Sequence, residues 1–161
     1  AVSYLFGGVP AAYIGGRFWG GIDIRQHGNG NVGTVNAVRT LGMRAGLLVL
    51  TADAAKGAVV VGIGRVAGIS DYTLLAMVIA VTAGHNWSPY IGFKGGKGVA
   101  TNAGVAFGLA WPLGLAYAFV WLSILAIFRI SSLAGMAAAA TTAAFVAAIG
   151  GLFNTSGPFT S

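Results

Sequence analysis

Ala45-Gly-Leu-Leu-Val-Leu-Thr-Ala-Asp53-Ala-Ala-Lys56-Gly-Ala-Val-Val-Val-Gly-Ile-Gly-Arg65-Val-Ala67 is the stretch whose reading decides the fold. A bilayer crossing takes about 20 mostly apolar residues. Only Asp53, Lys56 and Arg65 carry charge here, so the stretch reads as a membrane-spanning helix. Asp53 and Lys56 are three residues apart, share a helical face and are placed to pair. Ionisable groups within a span are costly, which makes them functional candidates as well as a structural ion pair.

The rest of the chain has the same character. It has 161 residues, 57% hydrophobic and only 7% charged, with a mean hydropathy of +0.82. These values predict an all-α, polytopic transmembrane bundle of about six spans, forming one integral-membrane domain over 1–161. Working back from Ala45, residues 20–44 form a polar run, preceded by a first span from 1 to about 19. That span carries Pro10, which a membrane helix tolerates where neighbours satisfy the freed carbonyl. Working forward, a third span runs from 71 to about 84. A fourth, from 99 to about 110, is short for a full crossing. Trp111-Pro112 makes a turn, a fifth span covers about 113 to 128, 129–132 is a basic turn, and a sixth span runs from 133 to about 153 before a polar tail. Gly104 and Gly108 are at helix-face spacing, where small residues let membrane helices approach closely.

Nine basic residues against three acidic ones give a net charge of +6. Arg17, Arg25, Arg39 and Arg44 flank the first interruption, Lys94 and Lys97 lie in the second, and Arg129 lies in the third. The bias marks these loops as cytoplasmic by the positive-inside rule. Basic patches interleaved with aromatics are absent, so no nucleic-acid partner is expected. The chain has no cysteine and no glutamate, and only two histidines, so no metal or other cofactor is expected. Gly28-Asn29-Gly30-Asn31-Val32-Gly33 fits a dinucleotide fingerprint in letters, with Asp53 at the expected distance. Its glycines have that meaning only between a strand and a helix, and here membrane spans flank them. A nucleophile elbow is also missing.

Two loops on one face carry the chemistry. Ile91-Gly-Phe-Lys-Gly-Gly-Lys-Gly-Val-Ala-Thr101 places Gly92, Gly95, Gly96 and Gly98 around Lys94 and Lys97, just ahead of a helix. Backbone amides in such a turn, two lysines and a helix N-terminus suit a phosphate-like anion; a flexible connector is the alternative reading. In the 20–44 loop, Asn36 and Arg39 share a face if the segment is helical. Arg39 is a natural phosphate partner, either of a substrate or of a lipid headgroup. His85 ends the third span. Together they point to an enzyme that handles a phosphorylated substrate beside an apolar one dissolved in lipid.

The run from Arg25 to Arg39, Asp53-Ala-Ala-Lys56-Gly57, and Gly84-His85-Asn86 through Thr101 strongly resemble the bacterial acyl-phosphate:glycerol-3-phosphate acyltransferases, the PlsY family. The resemblance covers nearly the whole chain. It implies a bundle of up to seven transmembrane helices in the bacterial inner membrane, transferring a fatty acyl group from acyl phosphate to the 1-hydroxyl of glycerol 3-phosphate to give lysophosphatidic acid. It further implies Asn29, Asn36, Arg39, His85 and Lys97 as catalytic positions. Gly92, Lys94, Gly95, Gly96, Lys97 and Gly98 would bind the substrate phosphate. Two departures stand out: Asn29 replaces the family's usual serine, and the third motif, carrying histidine, asparagine and glutamate, does not occur before Ser161. They keep a second reading open, a catalytically inactive relative serving as a structural or lipid-binding subunit of a larger membrane complex.

Overall fold

The structure, a computed structural model, describes residues 1–154, with side chains through 144. The polar tail at 155–161 lies outside them. Among the described residues the regular structure is helical: α1 (Val2–Gly8), α2 (Ala11–Trp19), α3 (Thr34–Leu41), α4 (Met43–Val66), α5 (Asp71–Asn86), α6 (Val99–Leu109), α7 (Trp111–Phe128) and α8 (Ser131–Asn154). All six expected spans are helical. Three features differ from the expectation: the first segment is two short helices, α3 sits inside the polar run, and Trp111-Pro112 is the first turn of α7, the break falling at Ala110.

Pro10 is the cause of the first difference. A proline has no N–H to continue the ladder and clashes with the preceding turn, so the helix breaks at Val9. The break frees the carbonyls of Gly8 and Val9, and distant side chains take them up. Ser88 Oγ donates to the Gly8 carbonyl at 2.5 Å, and Lys56 Nζ donates to the Val9 carbonyl at 2.5 Å. Polar groups from neighbours thus satisfy the interrupted backbone, as a broken membrane helix requires.

Helix α5 starts at the N-cap Ser70, whose side chain accepts from the Thr73 N–H, with Asp71 in the first turn complementing the dipole. It ends before Ser88-Pro89. Helix α6 starts after Gly98, which at φ +73° occupies the left-handed region. With 11 residues, α6 rises only about 16 Å, half of a hydrocarbon core of about 30 Å. Helices α4 and α7 are each long and apolar enough to cross a membrane.

The chain divides into two compact units, Ala1–Gly114 and Leu115 onward. In the first, α4 is the centre, and α6 lies against it through small residues. A Cβ on Gly104 would run into the Ala54 carbonyl, and one on Gly57 into the Thr101 carbonyl. Gly104→Leu is therefore expected to push α6 off α4 and lower stability by roughly 1–3 kcal/mol, the usual cost of overpacking; a thermal melt in detergent checks it. Helix α5 holds α1 in the same way, with Gly84 against the Tyr4 carbonyl and Gly7 against the Val81 carbonyl. Two apolar clusters form along α4. One gathers Ala12, Ile24, Val32, Ala37 and Ile91 around Val49; the other joins Val60 and Val61 to Val81 and Val105. Asp53 and Lys56 lie between them, a polar layer inside an apolar stack.

The second unit holds the rest of α7 and all of α8, joined through Arg129, at φ +56°. The Thr141 and Thr142 hydroxyls donate to the carbonyls of Ala137 and Ala138 four residues back, both at 2.8 Å. Each polar side chain is thereby satisfied within its own helix.

Candidate functional site

The 20–33 loop is tied by a carboxylate and a guanidinium that the sequence reading passed over. Arg25 meets Asp23 at two points, Nε to Oδ1 at 3.0 Å and Nη2 to Oδ2 at 2.7 Å, and the Arg25 N–H also donates to Oδ1 at 3.0 Å. The hydrogen bonds from Arg25 hold the Asp23 carboxyl down at about 2. Whatever stability the pair contributes is therefore fully present at neutral pH and is lost progressively as pH falls from about 3.8 through about 2. The third nitrogen, Nη1, donates to the Ile91 carbonyl at 3.2 Å, and the guanidinium lies 4.9 Å from the centre of the Tyr13 ring. Arg25 thus fastens the first loop to the entrance of the second. The sequence signal was Asp23-Ile24-Arg25, an acid and a base on either side of one buried apolar residue.

Asn36, buried on α3, organises the turn that precedes it. Its Nδ2 donates to the carbonyls of Ile24 (3.2 Å), His27 (3.0 Å) and Asn31 (3.0 Å), and its Oδ1 accepts from the Asn29 N–H at 2.9 Å. An amide side chain offers two hydrogens, shared here among three carbonyls, so the donors of Asn36 are fully engaged in shaping the loop. The sequence reading expected this residue to be catalytic; in the structure its side-chain amide is turned to the loop backbone. Asn29 is exposed, and its Oδ1 accepts from the Asn31 N–H at 3.0 Å. Its Nδ2 has no partner among the described residues. Arg39 lies one turn beyond Asn36, exposed, with no hydrogen bond or ion pair among the described residues.

The glycine loop is built differently from the sequence expectation. The Gly95 N–H donates to the Asn86 carbonyl and the Gly96 N–H to the His85 carbonyl, both at 3.0 Å. These amides satisfy the end of α5, whose last carbonyls have no partner within the helix. They are committed to the protein, not directed at an anion. The glycines are required by close approach: a Cβ on Gly95 would overlap the His85 carbonyl, and one on Gly96 the His85 imidazole. Phe93 N–H donates to the Ser88 carbonyl at 2.8 Å, closing the turn. Lys94 and Lys97 are exposed.

His85, 7% exposed, lies beneath this loop. Its Nδ1 is 3.6 Å from Asp53 Oδ1, while Gly96 covers the Nε2 side of the ring. The sequence reading expected a catalytic histidine; the structure shows one that reaches the loop surface through Gly96. Asn86 Oδ1 and Thr101 Oγ1 are buried without a partner among the described residues, the first of them 2.8 Å from where a Gly98 Cβ would stand. The structure therefore joins Asn29 to Asn36, and His85 to Gly95 and Gly96. Ile24, Ala37 and Ile91 share one cluster, which packs the two loops together.

The sequence profile of the glycerol-3-phosphate acyltransferase family matches residues 1–159. A glycerol-3-phosphate acyltransferase of Synechococcus sp. (strain JA-2-3B'a(2-13)) is 48% identical over 136 residues, covering 84% of this chain and 68% of the relative. Glycerol-3-phosphate acyltransferase 2 of Moorella thermoacetica is 46% identical over 140 residues, covering 86% and 71%. Among solved structures, the glycerol 3-phosphate form of PlsY, an integral membrane glycerol 3-phosphate acyltransferase, superposes with a TM-score of 0.81 at 35% identity, covering 92% of this chain and 74% of that one. Its lysophosphatidic acid form gives a TM-score of 0.79 at 34% identity.

Proposed function

Because this chain belongs to the glycerol-3-phosphate acyltransferase family, we propose that its two packed loops form a site in which glycerol 3-phosphate attacks acyl phosphate at the membrane surface. The protein is an integral membrane acyltransferase of phospholipid synthesis. The 1-hydroxyl oxygen forms the new ester bond to the acyl carbon, the carbon–oxygen bond to phosphate breaks, and the hydroxyl proton ends on the departing phosphate. The donor is already activated, so holding two phosphorylated groups together and neutralising charge supplies much of the catalysis without a covalent nucleophile.

The observation that carries the assignment to these loops is the packing of the Asn36-ordered turn against Ile91 through Arg25. Exposed cations, Arg39, Lys94 and Lys97, would receive phosphate oxygens. Free amides would come from Gly92, Gly98 and the first turn of α6, where the helix dipole adds attraction. Gly95 and Gly96 set the shape of that surface, and Asn36 and His85 hold it. Asn29 offers its amide NH2 where the family usually has a hydroxyl, an exchange that keeps a donor. The site faces the cytoplasm of a bacterial inner membrane in this reading, as the excess of arginine and lysine at the two loops supports, and the chain acts as a single domain.

Palmitoyl phosphate and glycerol 3-phosphate supplied to the purified chain are expected to yield lysophosphatidic acid. Arg39→Ala is expected to cut kcat/KM by about tenfold to a hundredfold, the scale of one lost charge-assisted hydrogen bond, with an unchanged melt because Arg39 carries no structural bond. Absence of product from the wild-type chain is the contrary result. Co-purification of other membrane subunits whose function ignores Arg39→Ala would instead favour a non-catalytic role.

A further inference from the structure

Asp53 makes no contact with the surface of either loop, yet it holds the base on which the glycine loop rests. We infer that Asp53 is a positioning residue for glycerol 3-phosphate, acting through His85 to fix the glycine loop in its binding shape. The inference rests on that loop being the glycerol 3-phosphate site.

Asp53 is 1% exposed. Its Oδ1 accepts from Lys56 Nζ at 2.6 Å and faces His85 Nδ1 at 3.6 Å. Among the described residues it is the one carboxylate within 4 Å of a His85 ring nitrogen. Lys56 reaches past Asp53 to the Val9 carbonyl, and the His85 ring and carbonyl both meet Gly96. One carboxylate therefore joins the broken first segment, α4 and the floor of the loop. Apolar clusters lie on either side of this layer, at Val49 and at Val60. A buried ion pair is a poor device for stability alone, since well-packed apolar residues usually serve as well or better. Its value here is directional: it sets where the imidazole stands.

The depth of the loop gives that direction a purpose. His85 is level with Asp53, and Gly104 of α6 packs on Ala54, so α5 and α6 meet the middle of α4. Helix α4 continues toward Met43 for about 15 Å more. Ile91, in the 87–98 loop, packs in the cluster around Val49, which lies on α4 between Asp53 and Met43. Non-helical backbone at such depth persists only where protein buries it or where it lines a polar cavity, and the Asp53, Lys56 and His85 layer is that support.

The test uses the full chain in proteoliposomes, with glycerol 3-phosphate titrated at saturating palmitoyl phosphate, and calorimetric binding of glycerol 3-phosphate alone. Asp53→Asn removes the charge. A double variant, Asp53→Leu with Lys56→Met, replaces the pair by apolar groups of similar size and keeps the packing. Both are expected to raise KM and weaken binding of glycerol 3-phosphate by about tenfold to a hundredfold, the scale of a small misplacement, while kcat changes far less. His85→Leu should match them. His85→Asn, whose amide nitrogen can stand in for Nδ1, should recover most of the wild-type KM. A double variant with wild-type melting and unchanged KM overturns the inference, as does a loss shared by kcat and melting with KM unmoved. A wild type that binds glycerol 3-phosphate but makes no product overturns the enzymatic reading, and the calorimetric arm still decides this one.

Discussion

Gly95→Ala is expected to lower lysophosphatidic acid formation by at least about a hundredfold, the scale on which misplacing binding groups by an ångström acts. The obstruction is backbone: the new Cβ would overlap the His85 carbonyl and stand 2.7 Å from the Asn86 carbonyl oxygen. Neither can swing away as a side-chain tip can, because both carbonyls accept from the loop and end α5. The melt should fall as well, by roughly 1–3 kcal/mol of overpacking. Gly62→Ala is the matched control, since a Cβ there meets nothing within 4 Å. In that exposed helical position alanine should stabilise by about 0.5–1 kcal/mol and leave turnover intact. Equal activity of the two variants would remove the steric account of the loop.

Asn36→Ala carries the second large effect. It takes a donor from three carbonyls, of which those of Ile24 and His27 keep a backbone N–H, and among the described residues it leaves the Asn31 carbonyl without a donor and the Asn29 N–H without an acceptor. A buried polar group left unsatisfied costs roughly 1–3 kcal/mol, so the turn should open and activity fall to background. Asn36→Asp separates the two halves of the role. A carboxylate still accepts from Asn29, but when ionised it cannot donate, and it would face three carbonyl oxygens; it should be as damaging as alanine. Solvent exchange at the Asn29 and Asn31 amides, faster in both variants and unchanged in Arg39→Ala, distinguishes loop opening from loss of a substrate contact. Slow exchange in Asn36→Ala would contradict the organising role.

The spans were legible because apolar length is a local property. Pro10 was read as tolerated within one span, and the break it makes depends on distant partners for the freed carbonyls; Gly104 was legible as a contact because small residues at helix-face spacing have few other uses in lipid. Helix α3 was harder to see: eight residues that include two threonines, two valines and an asparagine have weak helical preference, and it forms by packing Ala37 and Val38 on the first cluster and on Gly46. The roles of the glycines divided along the same line. Sequence placed them in a loop suited to phosphate, but whether an amide faces an anion or a helix end depends on where α5 stops. Likewise Asp53 and His85 lie 32 positions apart and meet only because α4 and α5 are neighbours. Arg25 was read as one more cytoplasmic charge, and its reach to Ile91 could not be told from composition.

The break at Pro10 also sets an order of assembly. The Gly8 and Val9 carbonyls, left open by the proline, are closed by Ser88 and Lys56, residues made 80 and 47 positions later. Until those arrive, the first segment carries two unsatisfied polar groups that hydrocarbon does not solvate. As the chain emerges from the ribosome, this segment cannot reach its final hydrogen bonding within the bilayer by itself; it matures only when α4 and the turn after α5 have entered beside it. The segment around Pro10 is thus synthesised before the residues that close it and finished only after them.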